Sequence, residues 1–173
     1  MITVRPARAQ DAPMVAEILT EAFHPPVGLN QFAQPWIRAS LGRELERRLA
    51  RPSAHYRCLI ALVDARIAGT VEVAIRGLPG TWWMPSFAVQ RLLYVSNLAV
   101  GVSWRRLGVA RRLLSEAEQV GREWNQSSLK LHVMESNAGA FKLYSAQGYE
   151  VERTETEWVV GPRKLLLGKR LYS

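Results

Sequence analysis

The chain has 173 residues, 48% of them hydrophobic and 22% charged, enough for one domain with a real core and too few for two of ordinary size. This balance excludes a disordered chain, and no run approaches the roughly 20 apolar residues of a membrane-spanning helix. A net charge of +8, from 23 Lys and Arg against 15 Asp and Glu, attracts anions, but the dispersed arginines argue against nucleic acid as the main partner.

The single cysteine, Cys58, rules out an intrachain disulfide framework and a cysteine-rich metal site, so no metal is expected. It lies in an apolar run and is expected to be a core thiol. Met1 to Pro6 already looks like a strand with no apolar leader before it, and a cytoplasmic protein is expected, or else the mature form of an imported one.

After a first strand at Ile2 to Arg5, Asp11 and Pro13 signal a helix start. Met14, Val15, Ile18, Leu19 and Phe23 give that helix an apolar stripe, and Pro25-Pro26 ends it. A second helix is expected from about Pro35 to Ala50, with Trp36, Ile37, Leu41, Leu45 and Leu49 on its apolar face, which gives Trp36 a core place and leaves His24 to the loop. Strands at Tyr56 to Val63 and Ile67 to Ile75 flank a hairpin-like turn at Asp64 to Arg66. Gly69 suggests a bulge or a close neighbour. Glu72 reads as facing a central cleft or solvent, and the half-exposed strand favours solvent. The segment from Gly77 to Gln90 combines helix breakers with Trp82, Trp83, Met84 and Phe87, and reads as a flap, a subunit contact or a loop tucked on the core.

Leu92 to Val100 is β-branched, aromatic and apolar, as in a buried strand, and Val109, Leu113, Leu114, Ala117 and Val120 then recur at helical spacing. Between them, Arg105-Arg106-Leu107-Gly108-Val109-Ala110 leads into a helix N-terminus, where unpaired N–H groups and the positive end of the dipole favour phosphate. Arg111 and Arg112 add charge there. A strand with alternating residues follows at Ser128 to Met134, then a short helix opened by Asn137 and closed by Gly148, a plausible C′ residue. Two last strands, Tyr149 to Val160 and Lys164 to Leu171, are split by Gly161-Pro162. No internal repeat appears.

Arg105-x-x-Gly108-x-Ala110 resembles the Arg/Gln-x-x-Gly-x-Gly/Ala signature of the GNAT superfamily of acetyl-CoA-dependent N-acetyltransferases. Tyr94 to Val100 resembles that family's fourth strand, and Asn137 to Tyr149 resembles its Asn-x-x-Ala-x-x-x-Tyr-x-x-x-Gly-Phe/Tyr segment, in the same order and spacing. The resemblance implies one α/β (α+β) domain over residues 1–173: a mixed, mostly antiparallel twisted sheet of about seven strands with four helices, splayed between the fourth and fifth strands. It also implies acetyl-CoA as co-substrate. Leu98, Ala99 and Val100 would meet its pantetheine arm through their backbone, Arg105, Arg106, Leu107, Gly108, Val109, Ala110 and Arg111 would cradle its pyrophosphate, and Asn137 would bind the pantetheine while capping its own helix.

For the chemistry, the resemblance makes Tyr144 the acid that protonates the leaving thiolate. Leu131-His132-Val133-Met134-Glu135-Ser136-Asn137 is similar to the Leu-His-Val-x-x-Ser-Asn of Met-directed protein N-terminal acetyltransferases, in which this histidine and a fourth-strand tyrosine activate the amine. Tyr94 occupies the tyrosine's place, so His132 and Tyr94 become the candidate base, with a structural histidine as the alternative. The loop Val159 to Arg163 lacks the tyrosine pair of that class. Val95 to Gly108 also looks like plastid and cyanobacterial GNAT proteins, some of which acetylate both lysines and N-termini. The expected acceptor is therefore a protein or peptide amine, with a small amine (polyamine, amino acid or antibiotic) as the rival enzyme reading. A non-catalytic acyl-CoA-binding module is the rival from another class. The expected assembly is a monomer or homodimer.

Overall fold

The computed structural model describes residues 1–23, 30–51, 53–77, 91–156 and 161–172, with the side chains of 30–32 left aside. His24, the 78–90 segment, Val159 and Val160 lie outside them. In chain order the elements are β1 (Ile2–Pro6), a 3-10 turn (Ala9–Asp11), α1 (Ala12–Phe23), α2 (Asn30–Ala50), β2 (Tyr56–Val63) and β3 (Arg66–Gly77). Then come β4 (Arg91–Val100), a second 3-10 turn (Val102–Trp104), α3 (Val109–Glu123), β5 (Ser128–Met134), α4 (Ala138–Ala146), β6 (Glu150–Thr156) and β7 (Arg163–Arg170). This is the expected succession of strands and helices. The strands form one seven-stranded sheet in the order β1-β2-β3-β4-β5-β7-β6, mixed because β4 and β5 run parallel while β1/β2, β5/β7 and β6/β7 are antiparallel.

The described residues group into two compact units, residues 1–73 with 97–117, and residues 74–96 with 118–173. In the first, Val15 and Leu19 of α1 pack with Leu45 of α2 and Ile60 of β2. The turn into β3 has Asp64 and Ala65 both at positive φ, 49° and 63°, as a two-residue hairpin with right-handed strand twist requires. Asp11 does more than open a helix. It accepts the Arg8 N–H at 2.7 Å and both Arg5 guanidinium arms at 2.8 and 2.9 Å, and the Arg5 hydrogen bonds hold its carboxyl below the usual range.

Two expectations fail here. Trp36 is 72% exposed, not in the core. At 100° per residue it stands about 140° to 180° around α2 from Leu41, Leu45 and Leu49, whereas Ile37 is about 40° from Leu41. Glu72 does not face solvent either: it is 1% exposed, because β3 is buried on both faces from Ala68 to Ala74. Gly69 is the close neighbour expected, since a methyl group on it would come within 2.8 Å of the Ala99 carbonyl oxygen.

In the second unit, Leu129, Leu131 and Val133 of β5 are buried, while Lys130, His132 and Met134 stand on its other face. β5 pairs with β7 along its whole length. β6 pairs with β7 too, but a one-residue bulge at Glu152 interrupts the register between Val151 and Arg153. Tyr149 Oη donates to Glu118 Oε1 at 3.3 Å, and Lys169 Nζ donates to the same oxygen at 2.7 Å, so the buried carboxylate of α3 is paired.

Candidate active site

The parallel ladder between β4 and β5 consists of Leu93 opposite Leu129 and Tyr94 opposite Lys130. Three residues after Tyr94 the strand is bent, for Asn97 is left-handed at φ 53°. That conformation costs a non-glycine residue about 1 kcal/mol or more, although Asn tolerates it better than most. Its side chain is held in return: Asn97 Nδ2 donates to Glu72 Oε1 at 2.9 Å, and Arg48 of α2 lies 3.5 Å from the other carboxylate oxygen. Burial, then the Glu72 charge, raises the nearby Tyr56 phenol, which stays neutral. The buried carboxylate thus braces the bend. Beyond it, Leu98, Ala99 and Val100 continue past the end of the β5 ladder, their backbone released from strand pairing on that side.

From Val100 the chain runs through the second 3-10 turn to Gly108, at φ 85°, and into α3. The backbone N–H of Arg112 is bonded to the Gly108 carbonyl at 3.0 Å, so the N–H groups of Gly108, Val109, Ala110 and Arg111 precede the first intrahelical bond. A Cβ built on Gly108 would meet nothing within 4 Å, which leaves the turn open to a ligand. Arg105 Nε donates to the Val100 carbonyl at 3.3 Å, and Arg112 pairs with Glu116 at 2.7 Å. Arg106 and Arg111 are exposed at the same turn, Arg106 at φ 65°. The donor set suits a phosphate group.

In the second unit Tyr94 Oη and His132 Nδ1 are 2.7 Å apart, and His132 Nε2 is 3.1 Å from Glu155 Oε2. These side chains line a cavity of about 310 Å³ with Val133, Met134, Thr156 and Lys164. The Arg76 guanidinium lies 5.8 Å from the centre of the Tyr94 ring. Desolvation raises the Tyr94 phenol, partly offset by its bond to His132, so it is neutral at ordinary pH. Tyr144, buried on α4, is pushed up to about 12, chiefly by burial and then by the neighbouring Tyr94. Its ring meets Tyr149 edge-on at 5.9 Å. Asn137 is the N-cap of α4, its Oδ1 accepting the Ala140 N–H at 3.1 Å, which leaves its amide donors available.

The model of the Acetyltransferase (GNAT) family matches residues 13–149. The chain belongs to the GNAT acetyltransferase family. GNAT enzymes take their acetyl group from acetyl-CoA, and the open turn, its free helix N–H groups and its exposed arginines fit a pyrophosphate. The GCN5-related N-acetyltransferase 10, chloroplastic, of Arabidopsis thaliana is 31% identical over 177 residues, covering 90% of this chain. The chain spans 66% of that relative's own length. The GNAT fold is shared with the PaiA N-acetyltransferase of Thermoplasma acidophilum in complex with coenzyme A, at a TM-score of 0.75 and 18% identity over 98% of this chain and 99% of that one. Arabidopsis thaliana NAA60 in complex with a bisubstrate analogue superposes with a TM-score of 0.71, at 17% identity over 98% and 99%.

All the site residues expected of a GNAT protein lie among the described ones. Tyr94 and His132 are brought into contact, Tyr144 lies in the same unit, Leu98 to Val100 follow the bend, and Arg105 to Arg111 form the turn. Cys58 is a core thiol, raised to about 12 by burial. Two roles escape the sequence reading: that of Glu155, which holds the second nitrogen of His132, and that of Glu72, which braces Asn97. Neither is visible from strand alternation, since a bulge repositions the first and a doubly covered strand buries the second. Among the described residues no group of His, Cys, Asp and Glu is arranged to hold a metal, and no helix is long and apolar enough to cross a membrane.

Proposed function

We propose that this GNAT protein transfers the acetyl group of acetyl-CoA directly, within a ternary complex, to a primary amine of a protein or peptide, at its N-terminal α-amine, at lysine ε-amines, or at both. The observation that carries this reading is the 2.7 Å contact between Tyr94 and His132 on the wall of the cavity, the pair that the resemblance to N-terminal acetyltransferases singles out. Residues 1–173 act as one catalytic domain, since β3, β4 and α3 each contribute to both compact units. The buried Cys58 accords with a reducing compartment such as the cytoplasm.

Acetyl-CoA supplies a thioester-activated acetyl group. The N–H groups at the start of α3, with Arg106 and Arg111, hold its phosphates. Leu98, Ala99 and Val100 offer backbone donors and acceptors to the pantetheine and to the carbonyl oxygen as it gains charge, and Asn137 adds its amide donors. On the acceptor side, Tyr94 Oη takes the proton of the amine while passing its own to His132 Nδ1. A neutral phenol suits a relay, because it stores no charge between the two transfers.

Tyr144 delivers the last proton to the departing sulfur. With a phenol near 12 it is protonated at every working pH. That keeps a proton on Tyr144 for the sulfur as the carbon–sulfur bond breaks.

An acceptor screen tests the reading. Met-starting peptides or internal-lysine peptides should exceed polyamines in kcat/KM by at least about tenfold. Faster turnover of the polyamines would replace it with the small-amine reading.

A further inference from the structure

We propose that Glu155 is the positioning residue for His132, completing a Tyr94–His132–Glu155 relay that fixes the histidine tautomer and supplies the counter-charge when the proton arrives. This rests on the reading that Tyr94 and His132 accept the proton of the amine.

The placement of Glu155 depends on the bulge in β6. His132 lies opposite Leu166 of β7, and Met134 opposite Lys164, so these residues share one face of the sheet. With Glu152 bulged out, Arg153 pairs with Leu166 and Glu155 with Lys164, which puts both on that same face. Were Glu152 itself paired with Leu166 in a regular ladder, Thr154 would lie opposite Lys164 and Glu155 would turn to the opposite face, since a one-residue slip reverses every side chain that follows. The carboxylate is itself anchored: Arg153 Nη2 holds Glu155 Oε1 at 2.7 Å while Oε2 meets His132 Nε2 at 3.1 Å.

The hydrogen-bond inventory then decides the tautomer. A carboxylate only accepts, so Nε2 must carry the hydrogen it receives. In the neutral imidazole that leaves Nδ1 as the acceptor, and it takes the O–H of Tyr94. The phenol oxygen keeps its lone pairs for the incoming amine. Among the described residues, the charged groups that these contacts place around the pair are Arg76 from β3, Lys164 from β7, and Arg153 and Glu155 from β6. Three of the four are cations. Glu155 is the carboxylate that compensates the imidazolium formed once Tyr94 passes its proton on, and the same logic of base and orienting acid recurs in other proton relays.

The test compares Glu155→Leu and Glu155→Gln with the wild type and with His132→Ala. The leucine substitution removes both acceptor and charge; kcat should fall about a hundredfold with acceptor KM within about twofold, and side-chain ¹⁵N spectra of His132 should lose the Nε2-protonated tautomer. The glutamine variant keeps the size and an acceptor oxygen, so the tautomer should persist while kcat still falls about tenfold. It also guards against a leucine variant that fails to fold, as judged by thermal stabilisation with acetyl-CoA. Wild-type kcat in both variants, or a loss confined to KM, overturns the role of Glu155; if His132→Ala is inactive at the same time, the base itself stands. Full turnover by His132→Ala overturns the base reading and the relay with it.

Discussion

Tyr94 and Asn97 lie three residues apart on β4, yet they act through different parts of the chain. Around Tyr94 the strand is regular, its parallel ladder with β5 intact, and what it presents is side chains: a phenol, an imidazole and a carboxylate in series. From Asn97 on the strand is bent, and what it offers is its own backbone, braced from beneath by Glu72. A regular strand presents side chains at fixed positions; a bent one gives up pairing and exposes N–H and C=O groups instead. In the proposed reaction one strand thereby serves both substrates, acceptor with its first half and acetyl donor with its second.

Substitutions should separate the two halves. The largest effect is expected of His132→Ala, with kcat down about 10²- to 10⁴-fold and acetyl-CoA binding preserved, measured by steady-state kinetics and thermal shift. Equal losses in turnover and in acetyl-CoA affinity would break the division of labour. Tyr144→Phe should cost about a hundredfold in kcat. Because burial raises this phenol to about 12, it stays protonated as pH rises through the working range, and the variant should leave any basic limb below about pH 11 where it was in the wild type. A limb that disappears with Tyr144 would mean a much more acidic phenol. Asn97→Ala keeps the left-handed backbone but strips the hydrogen bond to Glu72, and should destabilise the protein by about 2 kcal/mol, read from denaturant unfolding. Its kinetic loss should fall on acetyl-CoA KM, leaving the Tyr94–His132 pair untouched. Arg106→Ala is the mildest: about three- to tenfold in acetyl-CoA KM, shrinking as salt is raised, since an exposed charge is screened.

The same contrast explains what is legible in the sequence. Element order and the strand before the Gly108 turn can be read because they are carried by residue types at fixed spacings, whereas the Tyr94–His132 pairing is read only through the resemblance to N-terminal acetyltransferases. Glu72 is misplaced by the pattern because alternation along Thr70-Val71-Glu72-Val73 describes equally a half-exposed strand and a central one covered on both faces. Trp36 is misplaced because an aromatic near a helix start looks like part of the stripe until the 100° step is followed to Leu41. Glu155 does not stand out at all: β6 reads as Glu-Val-Glu-Arg-Thr-Glu-Thr, a charged edge strand, and nothing in that string reveals which residue is skipped in pairing. Backbone irregularity, at Asn97 as at Glu152, is where spacing stops predicting side-chain direction.

The register that β6 takes up after the Glu152 bulge also makes this protein sensitive to a kind of change that substitution scans never sample. Removing Glu152 altogether, a single-codon deletion in an exposed strand, would leave every catalytic side chain encoded and the β6–β7 pairing free to re-form. Arg153 would then follow Val151 directly and still lie opposite Leu166, so Glu155 would stay opposite Lys164 on the face of His132; removing Thr154 with the bulge in place would instead bring Glu155 opposite Leu165 and turn it to the other face. Replacing Glu152 by another polar residue would preserve the count and hence the geometry. At Glu152 neither identity nor presence decides the direction of Glu155, whereas beyond it the number of residues matters more than their identity, so length variation between Arg153 and Glu155, rather than sequence variation, is the feature by which related chains with and without the relay can be sorted.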